Sequence, residues 1–231
     1  MALVATVTEA LQRRHSVRQF LPTPVSRALL TEILDVASRA PSGGNLQPWR
    51  VIAVAGPARE AVTELARRVR AQGSASEEGE DLVYPPQLWE PYRSRRYQVG
   101  EDLYALLGIG REQRAERLAQ VARNFEFFGA PIGLFFVIDR RLGRGQWAHL
   151  GMFMQSVALA AVERGLGTCL QEFWATLRST LHAHFALPDT DLIYCGMALG
   201  YADPDAPVNR LRTPRASVAE FARFMGFDAD R

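Results

Sequence analysis

Residues 132–165 read IGLFFVIDRRLGRGQWAHLGMFMQSVALAAVERG. The first eight form an unbroken apolar run closed by Asp139, which predicts a strand covered on both faces. The RRLGRG stretch punctuates it. From Gln146 to Gly165 the apolar residues recur on nearly every side of a 3.6-residue helix, which predicts a central helix buried all round. A buried strand leading into a buried helix is the centre of a mixed α and β domain.

The flanking sequence supplies the other layers. A short helix is expected over 5–14. SRALLTEILDVASRA, 26–40, places Leu29, Leu30, Ile33, Leu34, Ala37 and Ala40 at helical spacing, with Ser26 as N-cap. Pro41 stops that helix. WRVIAVAG reads as a strand, 57–71 as an amphipathic helix, and the polar, small residues 71–80 as a loop. The aromatic-rich 82–107 is expected to hold short helices and to act as a variable lid. A charged helix over 111–128, a strand around 168–172, a helix over 175–185 and the strand LIYCGMALGY follow. A tail from 202 closes the chain with a last short helix. No linker or repeat divides the sequence, so 1–231 reads as one α+β domain.

Composition restricts the chemistry. Nearly half of the 231 residues are apolar and no segment is of low complexity, the signature of a globular chain. No apolar run reaches the ~18 residues of a spanning helix, and Glu9 interrupts what a secretory signal would keep apolar. A cytoplasmic protein without membrane partners is expected. A net charge of +2 is too small to make nucleic acid the main partner. All 27 basic residues are arginine, which excludes Schiff-base and pyridoxal-phosphate enzymes as well as P-loop nucleotide sites. No GxGxxG, GxSxG or HExxH occurs. Cys169 and Cys195 sit in apolar runs as structural thiols, and His182 and His184, two apart, fall on different helix faces rather than forming a metal pair.

Three polar stretches remain. RRHSVRQF, 13–20, offers Arg14, His15, Ser16 and Arg18 within five residues, either a phosphate-holding group or a solvated basic helix end. NRLRTPR, 209–215, brings Arg210 and Arg212 to one side if it is extended, as a clamp or a charged tail. APSGGNLQPWRV, 40–51, is a helix stop and turn carrying more hydrogen-bonding groups than a spacer requires.

Together the three resemble the nitroreductase-like family of FMN-dependent oxidoreductases, in which RRHSxR precedes xPSxxNxQPW, a glutamate follows the buried helix, and a basic pair lies in the tail. The resemblance covers essentially the whole chain. It implies an intertwined homodimer with a central, mostly antiparallel sheet flanked by helices, residues 202–231 embracing the partner, and two FMN sites built from both chains. On that pattern Arg14, Arg210 and Arg212 clamp the FMN phosphate, while His15 and Ser16 contact the phosphate and ribityl region. Arg18 lies beside N1 and the C2 carbonyl. Pro41, Ser42, Gly43 and Asn45 come from the other subunit, and the backbone around Gln171, Glu172 and Phe173 meets the N5 edge. Phe173 stands where the family often has a small residue, and Arg123 or Asn124 would add a further flavin contact.

The implied activity is ping-pong NADPH or NADH oxidation, with hydride passing through flavin N5 to flat, electron-poor nitroaromatics or quinones. No catalytic side chain and no metal are required. Reductive dehalogenation, enoate reduction and flavin fragmentation are other uses of the superfamily, and a non-catalytic FMN carrier is a separate class.

Overall fold

Strand burial alternates in a way that explains the layers. The computed structural model describes residues 6–73 and 84–227. In β2 (Ile132–Asp139) Leu134, Phe136 and Ile138 point into one core, while Phe135 and Val137 point into another. Successive side chains of a strand leave on opposite faces, so a strand apolar at every position needs a cover on each side. The helices supply it. On the first face lie α2 (Arg27–Ala37) and α6 (Arg144–Glu163). On the second lie α3 (Gly56–Ala71), the 3-10 turns 123–129 and 172–177, and α7 (Arg178–His184).

The sheet is antiparallel throughout, in the order β1 (Arg50–Ala55), β2, β4 (Asp191–Gly200), β3 (Gly167–Gln171). The expected mostly antiparallel sheet flanked by helices is therefore present. A register shift falls between Phe136 and Val137 opposite β4. The segment after α1 (Val7–Arg13) adds itself beside the β3 edge: Ser16 bridges Thr168, and the Val17 N–H donates to Thr168 O (2.9 Å). That bridge fixes where the RRHSVR residues stand.

Local caps account for several boundaries. Thr6 and Glu9 form a capping box at the start of α1, and Ser26 Oγ accepts from the Leu29 N–H (3.1 Å), as its N-cap role requires. Elsewhere tertiary packing overrides the local pattern. In place of short helices over 82–107, α4 (Tyr92–Leu106) is one helix of 15 residues. The expected helix over 111–128 ends early. α5 stops at Ala122 (Arg114–Ala122), and Phe127 and Phe128 take φ values of 51° and 53° inside the 3-10 turn that follows. There Phe127 stacks on Trp174 at 4.7 Å and meets Phe135 edge-on at 5.7 Å, contacts that a continued helix would not reach. The helix expected over 175–185 begins as the 3-10 turn and becomes α7 only at Arg178. The last short helix is α8 (Val218–Phe221). Most of the expected 71–80 loop lies outside the described residues.

Candidate functional site

The Ser16–Thr168 bridge and the tail enclose a hollow of about 420 Å³. Its wall includes Arg14, His15, Ser16 and Arg18 from one side and Arg212, Thr213 and Arg215 from the other. None of its lining residues is acidic. Four guanidiniums without a carboxylate repel one another, and the strain is visible at Arg14. Burial pushes its pKa down, and the neighbouring Arg215 charge pushes it further. Arg14 has no ion-pair partner among the described residues. Such a set is built for a multiply charged anion, because the fork of an arginine donates two parallel hydrogen bonds to phosphate oxygens.

His15 has a distinct part. Its Nδ1 lies 2.9 Å from Arg13 O, and a carbonyl only accepts, so Nδ1 carries the proton. Burial first, then the charges of Arg212, Arg14 and Arg18, lower its pKa. The ring is then neutral at pH 7 and presents Nε2 as an acceptor. That suits a hydroxyl of a sugar-alcohol chain better than a phosphate oxygen.

One residue that sequence reading did not single out holds the two arginine segments together. Asn209 is 8% exposed. Its Oδ1 accepts from the Arg18 N–H (2.8 Å), and its Nδ2 donates to Gln19 O (2.8 Å) and Asp203 O (2.9 Å). Its own carbonyl accepts from Arg212 Nη1 (2.8 Å). One residue thus meets both segments, its carboxamide holding the Arg18 backbone 191 positions away and its backbone carbonyl holding Arg212. Asn209→Ala leaves two part-buried backbone groups, the Arg18 N–H and the Asp203 carbonyl, without partners at roughly 1–3 kcal/mol each before water enters, while Gln19 O keeps the Asp203 N–H (3.1 Å). A lowered Tm is expected, together with a fall in FMN affinity larger than the fall in riboflavin affinity, read by parallel flavin titrations. Equal losses for the two flavins would make Asn209 merely structural.

The tail departs from the extended clamp expected of NRLRTPR. Pro207–Arg210 is a 3-10 turn, so Arg210 does not share a side with Arg212. It is exposed and does not line the hollow. Arg215, inside the same stretch, takes its place. Nothing local in the sequence distinguishes the two arginines; the turn does.

Gln171, Glu172 and Phe173 end β3 and start the following turn. Gln171 is buried and donates from Nε2 to Asn124 O (2.7 Å), while its Oε1 has no partner among the described residues. Burial raises the Glu172 carboxyl. Phe173 remains 37% exposed and meets Phe125 edge-on. Arg123 turns inward, donating to Gln19 Oε1 (2.5 Å) and Phe128 O (3.4 Å). Asn124 Nδ2 is spent on Val121 O (2.9 Å). Beneath the site, burial raises Cys169 and takes Cys195 up to about 12, so neither thiol offers a thiolate.

Pro41, Ser42, Gly43 and Asn45 stand apart from the arginine hollow of their own chain. Their loop is tied internally: the Asn45 N–H donates to Ser42 O (2.9 Å), the Gln47 N–H to Ser42 Oγ (3.0 Å), and Gln47 Nε2 to Asn45 O (3.2 Å). Gly44, Asn45 and Gln47 have φ of 61°, 54° and 48°, a run of left-handed residues that costs free energy at Gln47. Gly43 sits close to α6: a Cβ there would lie 3.1 Å from His149 Cε1, tight enough that the imidazole would have to give. Trp49 anchors the loop by stacking on Phe153 at 4.8 Å, and Leu46 projects outward, 57% exposed. The loop is thus tied to itself and to α6, with its tip exposed.

The geometry is matched elsewhere. Residues 11–201 match the profile of the Nitroreductase family. A 4-nitrobenzoate reductase of Pseudomonas putida is 41% identical over 230 residues, 99% of this chain and 100% of its own length. A nitrobenzene nitroreductase of Ectopseudomonas oleovorans is 38% identical, over 95% of this chain and 96% of its own. Among solved structures, the FMN- and NADPH-dependent nitroreductase NfnB from Sphigopyxis sp. strain HMH superposes with a TM-score of 0.94 at 45% identity, covering 96% of this chain and 100% of its own. The FMN-dependent NfnB from Mycobacterium smegmatis, in complex with NADPH, gives 0.87 at 29%, covering 95% and 100%. With the family profile spanning both the first arginine segment and the whole sheet, this chain belongs to the Nitroreductase family.

Proposed function

We propose that the chain is an FMN-dependent NADPH oxidoreductase that reduces nitroaromatic compounds, acting as a cytoplasmic homodimer. The observation that carries the reading is the arginine hollow: four guanidiniums, one of them with its pKa lowered by burial and by a neighbouring guanidinium, with no carboxylate in the lining to balance them. The names of the relatives that match over nearly the full chain support the substrate class and the donor.

The residues present fit FMN. Arg14, Arg212 and Arg215 would hold the phosphate, and Asn209 keeps the latter two segments in register with Arg18. His15 Nε2 and Ser16 would take hydroxyls of the ribityl chain. Arg18 would place a fixed positive charge beside the ring system, which favours its reduced, negatively charged form. The chemistry FMN supplies when bound is two-electron exchange between a reduced nicotinamide and an electron-poor acceptor. The chain contributes position and charge, and no side chain of the site need act as a nucleophile or transfer a proton.

A second copy completes the arrangement. The 41–47 loop and the arginine hollow are separate on one chain, and several large apolar side chains lie open to solvent. Val7, Leu11, Val36, Met152 and the tail residues Phe224 and Phe227 are exposed. Solvent contact for so many large apolar groups is costly, and a partner subunit would cover them while bringing its loop to the neighbouring flavin.

Purified protein is expected to be yellow and to oxidise NADPH faster when 4-nitrobenzoate or menadione is added, followed at the nicotinamide absorbance. Tight FMN without acceleration by any acceptor would make the chain a flavin carrier.

A further inference from the structure

α4 has no buried residue, and part of it faces the tail across a second cavity. This one measures about 830 Å³, against about 420 Å³ for the arginine hollow. Tyr84, Arg95 and Arg96 line one side, and Arg215, Glu220 and Phe221 the other. Thr213 and Arg215 line both cavities, so the second opens directly beside the first.

Three guanidiniums here face a single carboxylate, and that carboxylate is already engaged. Glu220 accepts from the Ser217 N–H (2.8 Å) and Oγ (3.1 Å) and lies 3.4 Å from Arg95 Nη2. Those bonds hold its carboxyl below the ordinary range. Arg96 has no carboxylate within ion-pair distance among the described residues. Its guanidinium lies over the Tyr84 ring, 4.3 Å from the centroid, a contact that leaves its N–H donors unspent. The cavity therefore combines aromatic walls with cations in excess, which is the chemistry of a flat heterocycle carrying phosphate. A base packs on an aromatic face, and arginine takes the phosphate oxygens.

We propose that the cavity between α4 and the tail binds the phosphorylated adenosine end of NADPH, with Arg96 holding its 2′-phosphate. The proposal deepens the function given above and rests on it. The cavity adjoins the hollow assigned to the FMN phosphate. A dinucleotide is long enough to have one end at the reacting ring and the other beside that phosphate. A single nitroaromatic ring is not, which sets the donor ahead of a substrate carboxylate as the occupant.

The test compares the FMN-loaded wild type with Arg96→Ala, an exposed helix position where alanine favours the helix. The ratio of kcat/KM for NADPH to that for NADH is expected to fall about 10- to 100-fold, the size of a lost charge-assisted hydrogen bond. Calorimetric titration with adenosine 2′,5′-diphosphate should weaken by a similar factor, and titration with 5′-AMP far less. An unchanged NADPH-to-NADH ratio with unchanged diphosphate binding overturns the proposal. So does a selective loss for 4-nitrobenzoate against nitrobenzene with the nicotinamide ratio intact, which would give the cavity to the acceptor. The titration needs no turnover, so weaker diphosphate binding in the variant supports the site even where the wild type reduces no acceptor. Absent turnover in the wild type refutes the proposed reaction instead.

Discussion

Arg14→Ala combined with Arg212→Ala is expected to yield a colourless protein whose FMN affinity is about 10²- to 10⁴-fold below that of the wild type. Each side chain would contribute charge-assisted hydrogen bonds to the phosphate, worth about 1.5–3 kcal/mol apiece, and tenfold in affinity corresponds to about 1.4 kcal/mol. The apoprotein should not suffer in proportion. Arg14 is held against the repulsion of Arg215 and against its own desolvation, so its removal relieves an unfavourable arrangement. Arg212 gives up bonds to Asn209 O and Leu211 O, whose loss opposes that gain. Absorbance at the flavin band and titration of the stripped protein measure the effect. Riboflavin, which lacks the phosphate, is the control: its affinity should hardly move. Full FMN occupancy in the double variant would place the phosphate elsewhere.

The second large effect is on stability. Trp174 is fully buried, stacked on Phe127 at 4.7 Å and meeting Phe125 and Phe135 edge-on, both at 5.2 Å. Its indole N–H has no partner among the described residues, so truncation removes packing and no hydrogen bond seen there. The space it fills exists because residue 196 of β4 is glycine; a Cβ there would lie 2.2 Å from Trp174 Cδ1. Trp174→Ala should therefore cost about 3–5 kcal/mol, a fall of roughly 10 °C in Tm for a domain of this size. Denaturant unfolding with flavin absent gives the number directly. A cost under about 1 kcal/mol would mean that the aromatic cluster collapses into the vacated space. Because Trp174 directly follows Glu172 and Phe173, loss of flavin affinity should accompany loss of stability.

The opening strand and helix were legible for a local reason. The continuous apolar run over 132–139 and the all-round apolar helix after it require covers on every side, and the two cores supply them. Ser26 marked the start of α2 because caps are also local, whereas the helix ends at Ala37, ahead of Pro41. The 123–129 turn was not legible. NFEFFG has ordinary helical spacing, and the left-handed backbone at Phe127 and Phe128 accompanies packing of Phe127 on Trp174, some fifty residues on.

The site divides along the same line. From the sequence alone came the residue types and their order: RRHSVR, then PSGGNLQPW, then arginines in the tail, with no lysine anywhere to serve another chemistry. Those features follow from what phosphate and a close backbone approach demand. The tertiary structure alone decided which tail arginines line the hollow: Arg210 ends the 207–210 turn and is exposed, while Arg212 and Arg215 stand on the hollow. It also decided that Asn209 is the lock. A carboxamide is read the same way at any position until a backbone N–H 191 residues away is brought within 2.8 Å of it, and only the pairing of the Ser16 segment with the β3 edge brings it there.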